Sequence, residues 1–130
     1  MFKRIHHVEI VPSDFEKSFT FFTEIIGFSV DSRYNINTPP LKEVVFLRLG
    51  DTLLELFSIT NPQPTPKNGW RVGCRRIALE VENMGKTIDF LKAKGISIIR
   101  EPTKSETRIR AEFDGPDELS IEMIQFLRNG

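Results

Sequence analysis

The chain has 130 residues, 39% of them apolar, with 18 Lys and Arg balanced by 18 Asp and Glu. That length supports one compact domain with its own core, and a net charge of zero argues against a nucleic-acid binder, whose domain would be basic. Cys74 stands alone, so no intrachain disulfide forms; no stretch approaches the roughly 20 apolar residues of a membrane helix, the chain opens without an apolar leader, and the expected location is the cytoplasm.

Residues 4–11 alternate, with Ile5, His7, Glu9 and Val11 on one side and His6, Val8 and Ile10 on the other, which is the period of a strand. Pro12-Ser13-Asp14 ends the strand and offers a helix N-cap, and Ser13 with Glu16 has capping-box spacing. A helix is expected over about 14–25, with Phe15, Phe19, Phe22 and Ile26 as its apolar stripe and Gly27 as its C-cap. Strands are expected over 28–34, 43–49 and 52–59, separated by a polar, proline-containing loop over 35–40 and a tight hairpin turn at Gly50-Asp51. Module one, about residues 1–60, therefore reads βαβββ.

Residues 61–69 carry Pro62, Pro64 and Pro66 and are expected to form a stiff, extended linker. Module two, about 70–130, repeats the order. A strand over 73–81 leads to Asn83 as N-cap and a helix over 84–94 that ends at Gly95. A strand over 96–100, a charged loop over 101–108, a strand over 109–113, a turn over 114–118 and a strand over 119–126 complete it. His7 to Arg76 and Phe21 to Phe90 are both 69 residues apart, so the modules are one unit written twice. Each is too small to bury its own sheet face. The expected fold class is α+β: a single domain of two βαβββ modules forming a curved eight-stranded mixed sheet, with helices on the outer face.

Four positions correspond across the repeat: His7 with Arg76 on the opening strands, and Glu55 with Glu122 on the closing strands. They are expected to converge in the trough of the sheet. An imidazole and two carboxylates suit a divalent ion such as Zn²⁺, Ni²⁺, Mn²⁺ or Mg²⁺, and three protein ligands leave positions open for water or substrate oxygens. Glu55 lies within Leu53-Leu54-Glu55-Leu56-Phe57, where an unpartnered carboxylate is costly, so it faces water or has a partner. In the alternative, His7 is a hydrogen-bonded structural residue and Arg76 pairs with Glu55 or Glu122 without metal. Phe46, Phe57 and Phe113 would then line an apolar ligand trough.

The chain resembles the vicinal oxygen chelate superfamily, which includes glyoxalase I, methylmalonyl-CoA epimerase, extradiol dioxygenases and the fosfomycin and bleomycin resistance proteins. The resemblance rests on Ile5-His6-His7-Val8, Phe21-Phe22, Ile26-Gly27-Phe28 and Leu54-Glu55-Leu56. It continues in Arg76 to Val81, Lys94-Gly95-Ile96 and Asp114-Gly115-Pro116-Asp117 leading to Ile121-Glu122. It implies that His7, Glu55 and Glu122 fall on metal-ligand positions and that Arg76 stands where the third ligand, a histidine, is expected; a protonated guanidinium cannot coordinate a cation.

Two functions follow from the resemblance. One is a glyoxalase-like, metal-dependent lyase or isomerase acting on a small substrate with vicinal oxygens through an enediolate. In it Glu122 or Glu55 is the general base, and Arg76, with Phe57 and Phe46, binds substrate. The other is a metal-free protein of the bleomycin-resistance type that binds an antibiotic or metabolite. A homodimer is implied as well, with exposed Phe2, Trp70 or Phe126 as candidate contacts.

Overall fold

The computed structural model describes residues 1–64 and 70–128. The chain forms two compact units, Met1–Lys67 and Asn68–Gly130. Residues 65–69 of the proline-rich linker lie outside the described residues.

In the first unit β1 (His7–Ile10) leads to helix α1 (Phe15–Thr20), then β2 (Ser29–Thr38), β3 (Leu41–Leu49) and β4 (Thr52–Ile59). The strands lie in the order β1-β4-β3-β2. β1 runs parallel to β4, and the hairpins are antiparallel. The second unit repeats this with β5 (Ile77–Glu80), α2 (Met84–Ala93), β6 (Ile98–Lys104), β7 (Arg108–Asp114) and β8 (Ser120–Phe126), in the order β5-β8-β7-β6. Each module is thus a four-stranded mixed sheet of α+β type, and the expected eight strands are shared four and four.

The repeat extends to the helix caps. Asp14 accepts a hydrogen bond from the Lys17 N–H at 3.1 Å, and Asn83 accepts one from Lys86 at 3.0 Å. The first cap is therefore Asp14 rather than Ser13, because the helix begins one residue later than the capping-box spacing suggests. After Thr20 the helix widens into a π-helical segment, Phe21–Ile26, and ends on Gly27 at φ 100°. The change in winding shifts the phase of the apolar stripe. Phe21 and Phe22 are buried, whereas Phe15 and Phe19 are half-buried and stack on each other at 6.3 Å beneath the Arg33 guanidinium.

The first unit buries Val45, Leu47, Leu54 and Leu56 together with Phe22 and Phe28. The second buries Ala111, Phe113, Ile121 and Met123 with Met84, Ile88 and Leu91, the last three at helical spacing along α2. Burying each large side chain contributes about 1.5–3 kcal/mol before entropy is counted.

Three boundaries differ from expectation. The segment 35–40 is not a loop: β2 runs through Thr38 and turns at Pro39-Pro40. Residues 101–108 are mostly the arms of the β6–β7 hairpin. Both β2 and β6 are edge strands, whose exposed polar and charged side chains resemble a loop in sequence. The opening strand of module two is confined to residues 77–80 instead of 73–81, since pairing with β8 begins only at Ile77.

Candidate functional site

In the first unit, the parallel register sets His7 beside Leu53 and Glu9 beside Glu55, while the β3–β4 register sets Phe46 beside Glu55. Alternation along β1 keeps His7 and Glu9 on one face. His7 Nε2 lies 3.4 Å from Glu9 Oε2 and 3.6 Å from Glu55 Oε1. Its Nδ1 is 2.9 Å from Nδ1 of His6, and its ring meets Phe46 edge-on at 5.3 Å. Phe46 thus packs against the imidazole. Phe57 lies two residues beyond Glu55 on the same strand, half-buried.

Glu55 is only 8% exposed. Burial, reinforced by the Glu9 charge and opposed by His7, holds its carboxyl above the ordinary value. Among the described residues no hydrogen bond reaches it, and the 3.4 and 3.6 Å gaps around Nε2 exceed a hydrogen bond of about 2.7–3.2 Å. They match another geometry. Ligand atoms about 2.1 Å from a tetrahedral ion stand about 3.4 Å apart. The His6–His7 contact joins the two Nδ1 atoms; in the tautomer in which His7 is the donor, its Nε2 is a bare lone pair facing both carboxylates, the form that binds a cation. The donor atoms of His7, Glu9 and Glu55 all lie within 4.8 Å of one another, so this set fits a divalent ion.

In the second unit, Glu122 on β8 pairs in register with Ala78 on β5 and with Glu112 on β7. Arg76, just before β5, forms an ion pair with Glu112, reaches Glu122 Oε2 from Nε at 3.6 Å, and donates to Ser120 Oγ at 3.4 Å. Arg110 Nε donates to Glu122 Oε1 at 2.7 Å, and Arg100 Nη1 stands 3.9 Å from Glu112 Oε2. The result is a chain, Arg110–Glu122–Arg76–Glu112–Arg100, in which every carboxylate oxygen has a guanidinium. A hollow of about 80 Å³ beside it is lined by Arg100, Thr103, Arg110, Glu112 and Glu122.

The Arg110 hydrogen bond, helped by the charges of Arg110, Arg76 and Arg75, holds the Glu122 carboxyl below its ordinary value against the effect of burial. Burial and then the cationic neighbours, Arg75 foremost, lower the Arg76 guanidinium, with Glu122 opposing; it remains protonated.

Of the residues singled out in the sequence, His7, Glu55 and Phe46 come together in the first unit, and Arg76 and Glu122 in the second. Arg110 donates to one Glu122 oxygen and Arg76 stands 3.6 Å from the other. Phe113 is buried in the second unit's core. Sequence reasoning missed Glu9 and Glu112. Glu9 shares the strand face of His7, which was the signal available; Glu112 is set by hairpin register, which alternation alone does not supply.

A duplicated βαβββ chain with an imidazole on its first opening strand and a glutamate on each closing strand defines a class, that of the paired βαβββ-module proteins. The Glyoxalase/Bleomycin resistance protein/Dioxygenase superfamily matches residues 4–123, and the chain belongs to it. The protein YwkD of Bacillus subtilis is 32% identical over 96% of this chain and 98% of its own length. A probable lactoylglutathione lyase of Vibrio cholerae is 31% identical over 94% of this chain and 90% of its own. The crystal structure of a glyoxalase family protein from Enterococcus faecalis is 28% identical and superimposes with a TM-score of 0.79 over 95% of this chain and 98% of that one. No helix among the described residues is long and apolar enough to cross a membrane.

Proposed function

We propose that the chain is a metal-dependent lyase or isomerase of the glyoxalase type, acting on a small substrate with neighbouring oxygens. The observation that carries this reading is the pair of half-buried His7 and buried Glu55, packed against Phe46 and spaced for an ion rather than for a hydrogen bond. Zn²⁺, Ni²⁺ or Mn²⁺ suits a nitrogen–oxygen donor set of this kind. The ion, when bound, supplies Lewis acidity that stabilises negative charge on the two substrate oxygens.

The protein's own residues divide the remaining work. Glu55, buried and set beside Phe46 by the strand register, would take the substrate proton. Glu122, hydrogen-bonded by Arg110 and close to Arg76, would hold Arg76 in place. Arg76 would attract a substrate carboxylate or phosphate, and Phe46 and Phe57 would exclude water beside Glu55. The relationship to a probable lactoylglutathione lyase supports the isomerisation between a glutathione hemithioacetal and the lactoylglutathione thioester as the first reaction to try.

The metal-free alternative is favoured by one observation, the closed arginine–glutamate chain that occupies Glu122. Metal analysis after Zn²⁺, Ni²⁺ or Mn²⁺ loading, coupled to an assay for lactoylglutathione formation, separates the two readings. One ion per chain, lost together with activity in His7→Ala, is expected. A stoichiometry of zero under all three metals would leave only the binding protein.

A further inference from the structure

We infer that Glu9 is the third protein ligand of the metal, so that the ion's protein donors, His7, Glu9 and Glu55, all come from the first unit. The inference rests on the metal-dependent reading above and goes beyond it by replacing Glu122 with a residue that the repeat does not supply twice.

Three observations converge on it. The first is geometry. His7 Nε2 is closer to Glu9 Oε2, at 3.4 Å, than to Glu55 Oε1, at 3.6 Å, and both separations fit the edge of a tetrahedral donor set, about 3.4 Å for ligands at about 2.1 Å. The second is charge. Glu9 and Glu55 are opposite one another on adjacent strands, an arrangement that repels unless a cation stands between them. Among the described residues no Lys or Arg pairs with either; the imidazole is their sole ion-pair partner. Glu55 is buried there without a hydrogen bond, a partly satisfied carboxylate of the kind a folded protein completes with an ion.

The third observation is the comparison that the duplication provides. The position in module two that corresponds to Glu9 is Ala78, and the one that corresponds to His7 is Arg76. The second unit faces the same problem, two glutamates opposite one another in register, and meets it with Arg76, Arg100 and Arg110. Among the described residues the first unit offers its two carboxylates no Lys or Arg within ion-pair distance. A divalent ion supplies the same charge.

The donor set, one imidazole nitrogen and two carboxylate oxygens, suits Zn²⁺, Co²⁺, Mn²⁺ or Ni²⁺. It leaves the remaining coordination positions for water or for the two oxygens of a substrate.

The test is calorimetric titration of the full chain with Co²⁺ and Zn²⁺, paired with the visible absorption of the Co²⁺ form, which reports ligand number and type. Wild type, Glu9→Gln, Glu122→Gln and His7→Ala are compared, with thermal unfolding of the metal-free proteins as a control; Glu9 is exposed, so its amide variant folds. Glu9→Gln is expected to weaken binding by at least about tenfold, the lower end of what even outer-shell partners contribute, and to change the Co²⁺ spectrum. Glu122→Gln is expected to change neither. If Glu122→Gln loses the ion and Glu9→Gln keeps it, the metal-dependent reading survives and this inference is overturned. Loss of affinity in Glu9→Gln with an unaltered Co²⁺ spectrum also overturns it, since Glu9 then acts through its charge alone. Absence of binding by wild type overturns both.

Discussion

The arginine–glutamate chain of the second unit yields a prediction whose size follows from the structure. Replacing Arg76 by Met keeps the unbranched stem and removes the guanidinium. Glu112 and Glu122, in register on neighbouring strands and 13% and 15% exposed at their side chains, then confront each other. Breaking a fully buried ion pair costs about 3–5 kcal/mol. Here Arg110 and Arg100 still hold the outer oxygens, so the cost falls to about 2 kcal/mol on the same basis. For a chain of this size that is a drop in Tm of about 6–10 °C.

The pH dependence fixes the cause. The Glu122 carboxyl is held below its ordinary value in the folded protein, so its contribution is present above the ordinary carboxylate range and is lost as pH falls through the lowered value. In Arg76→Met, protonation in acid also removes the repulsion. Urea unfolding at pH 7 and in acid below the lowered Glu122 value should therefore show a large difference between wild type and Arg76→Met at the first and little at the second. An equal penalty at both pH values would falsify the electrostatic account and point to lost packing.

Three further outcomes are expected. In metal-free protein, Glu55→Gln raises stability at neutral pH, because the Glu55 carboxyl is held above its ordinary value. Its charge therefore destabilises the fold increasingly as pH rises from the ordinary value through the raised one; Tm measured in EDTA across that range checks this, and a variant less stable than wild type at pH 7 refutes it. Asp14→Ala and Asn83→Ala each cost about 1 kcal/mol in urea unfolding, because each side chain accepts the N–H three residues on; no loss at either site would mean that the cap is not the helix's anchor. Glu43→Gln removes the paired 2.9 Å bonds from Arg33 and costs up to about 1 kcal/mol, given the partly exposed guanidinium. Its loss appears above the ordinary carboxylate range and disappears as pH falls through the value that Arg33 depresses, and a loss of the same size in acid would count against the pair.

The parts of the fold legible in the sequence were those with a single period and a clear stop. β4 was expected over 52–59 and observed as Thr52–Ile59, since Leu53 to Phe57 is an apolar run buried on both faces from Leu53 to Leu56 and Gly50-Asp51 sets the start. α2 and its Asn83 cap were legible for the same reason. The edge strands were not. Asn35 to Thr38 and Glu101 to Lys104 carry polar side chains on both faces, and only their pairing with Glu43 and Leu41 in one sheet, and with Arg110 and Ile109 in the other, makes them strands. The site divides along the same line. His7, Glu55, Arg76 and Glu122 were found because the repeat marks them. Glu9 and Glu112 escaped because the repeat does not: their counterparts are Ala78 and Phe46.

Those unmatched positions explain how one backbone unit came to carry two kinds of chemistry. The inward-paired carboxylates number two in each sheet, Glu9 with Glu55 and Glu112 with Glu122. In module two the acid added on β7 is accompanied by arginines at 76, 100 and 110, and three guanidinium groups exceed two carboxylates. In module one the acid added on β1 is accompanied by His7, and among the described residues no Lys or Arg pairs with either carboxylate. Burying Glu55 in that setting is unfavourable for the isolated chain, and its raised carboxyl is the sign of it. A sheet that balances its own charges is complete without a ligand. Under the metal-dependent reading proposed above, one that does not would take its cation from solution, on the first module.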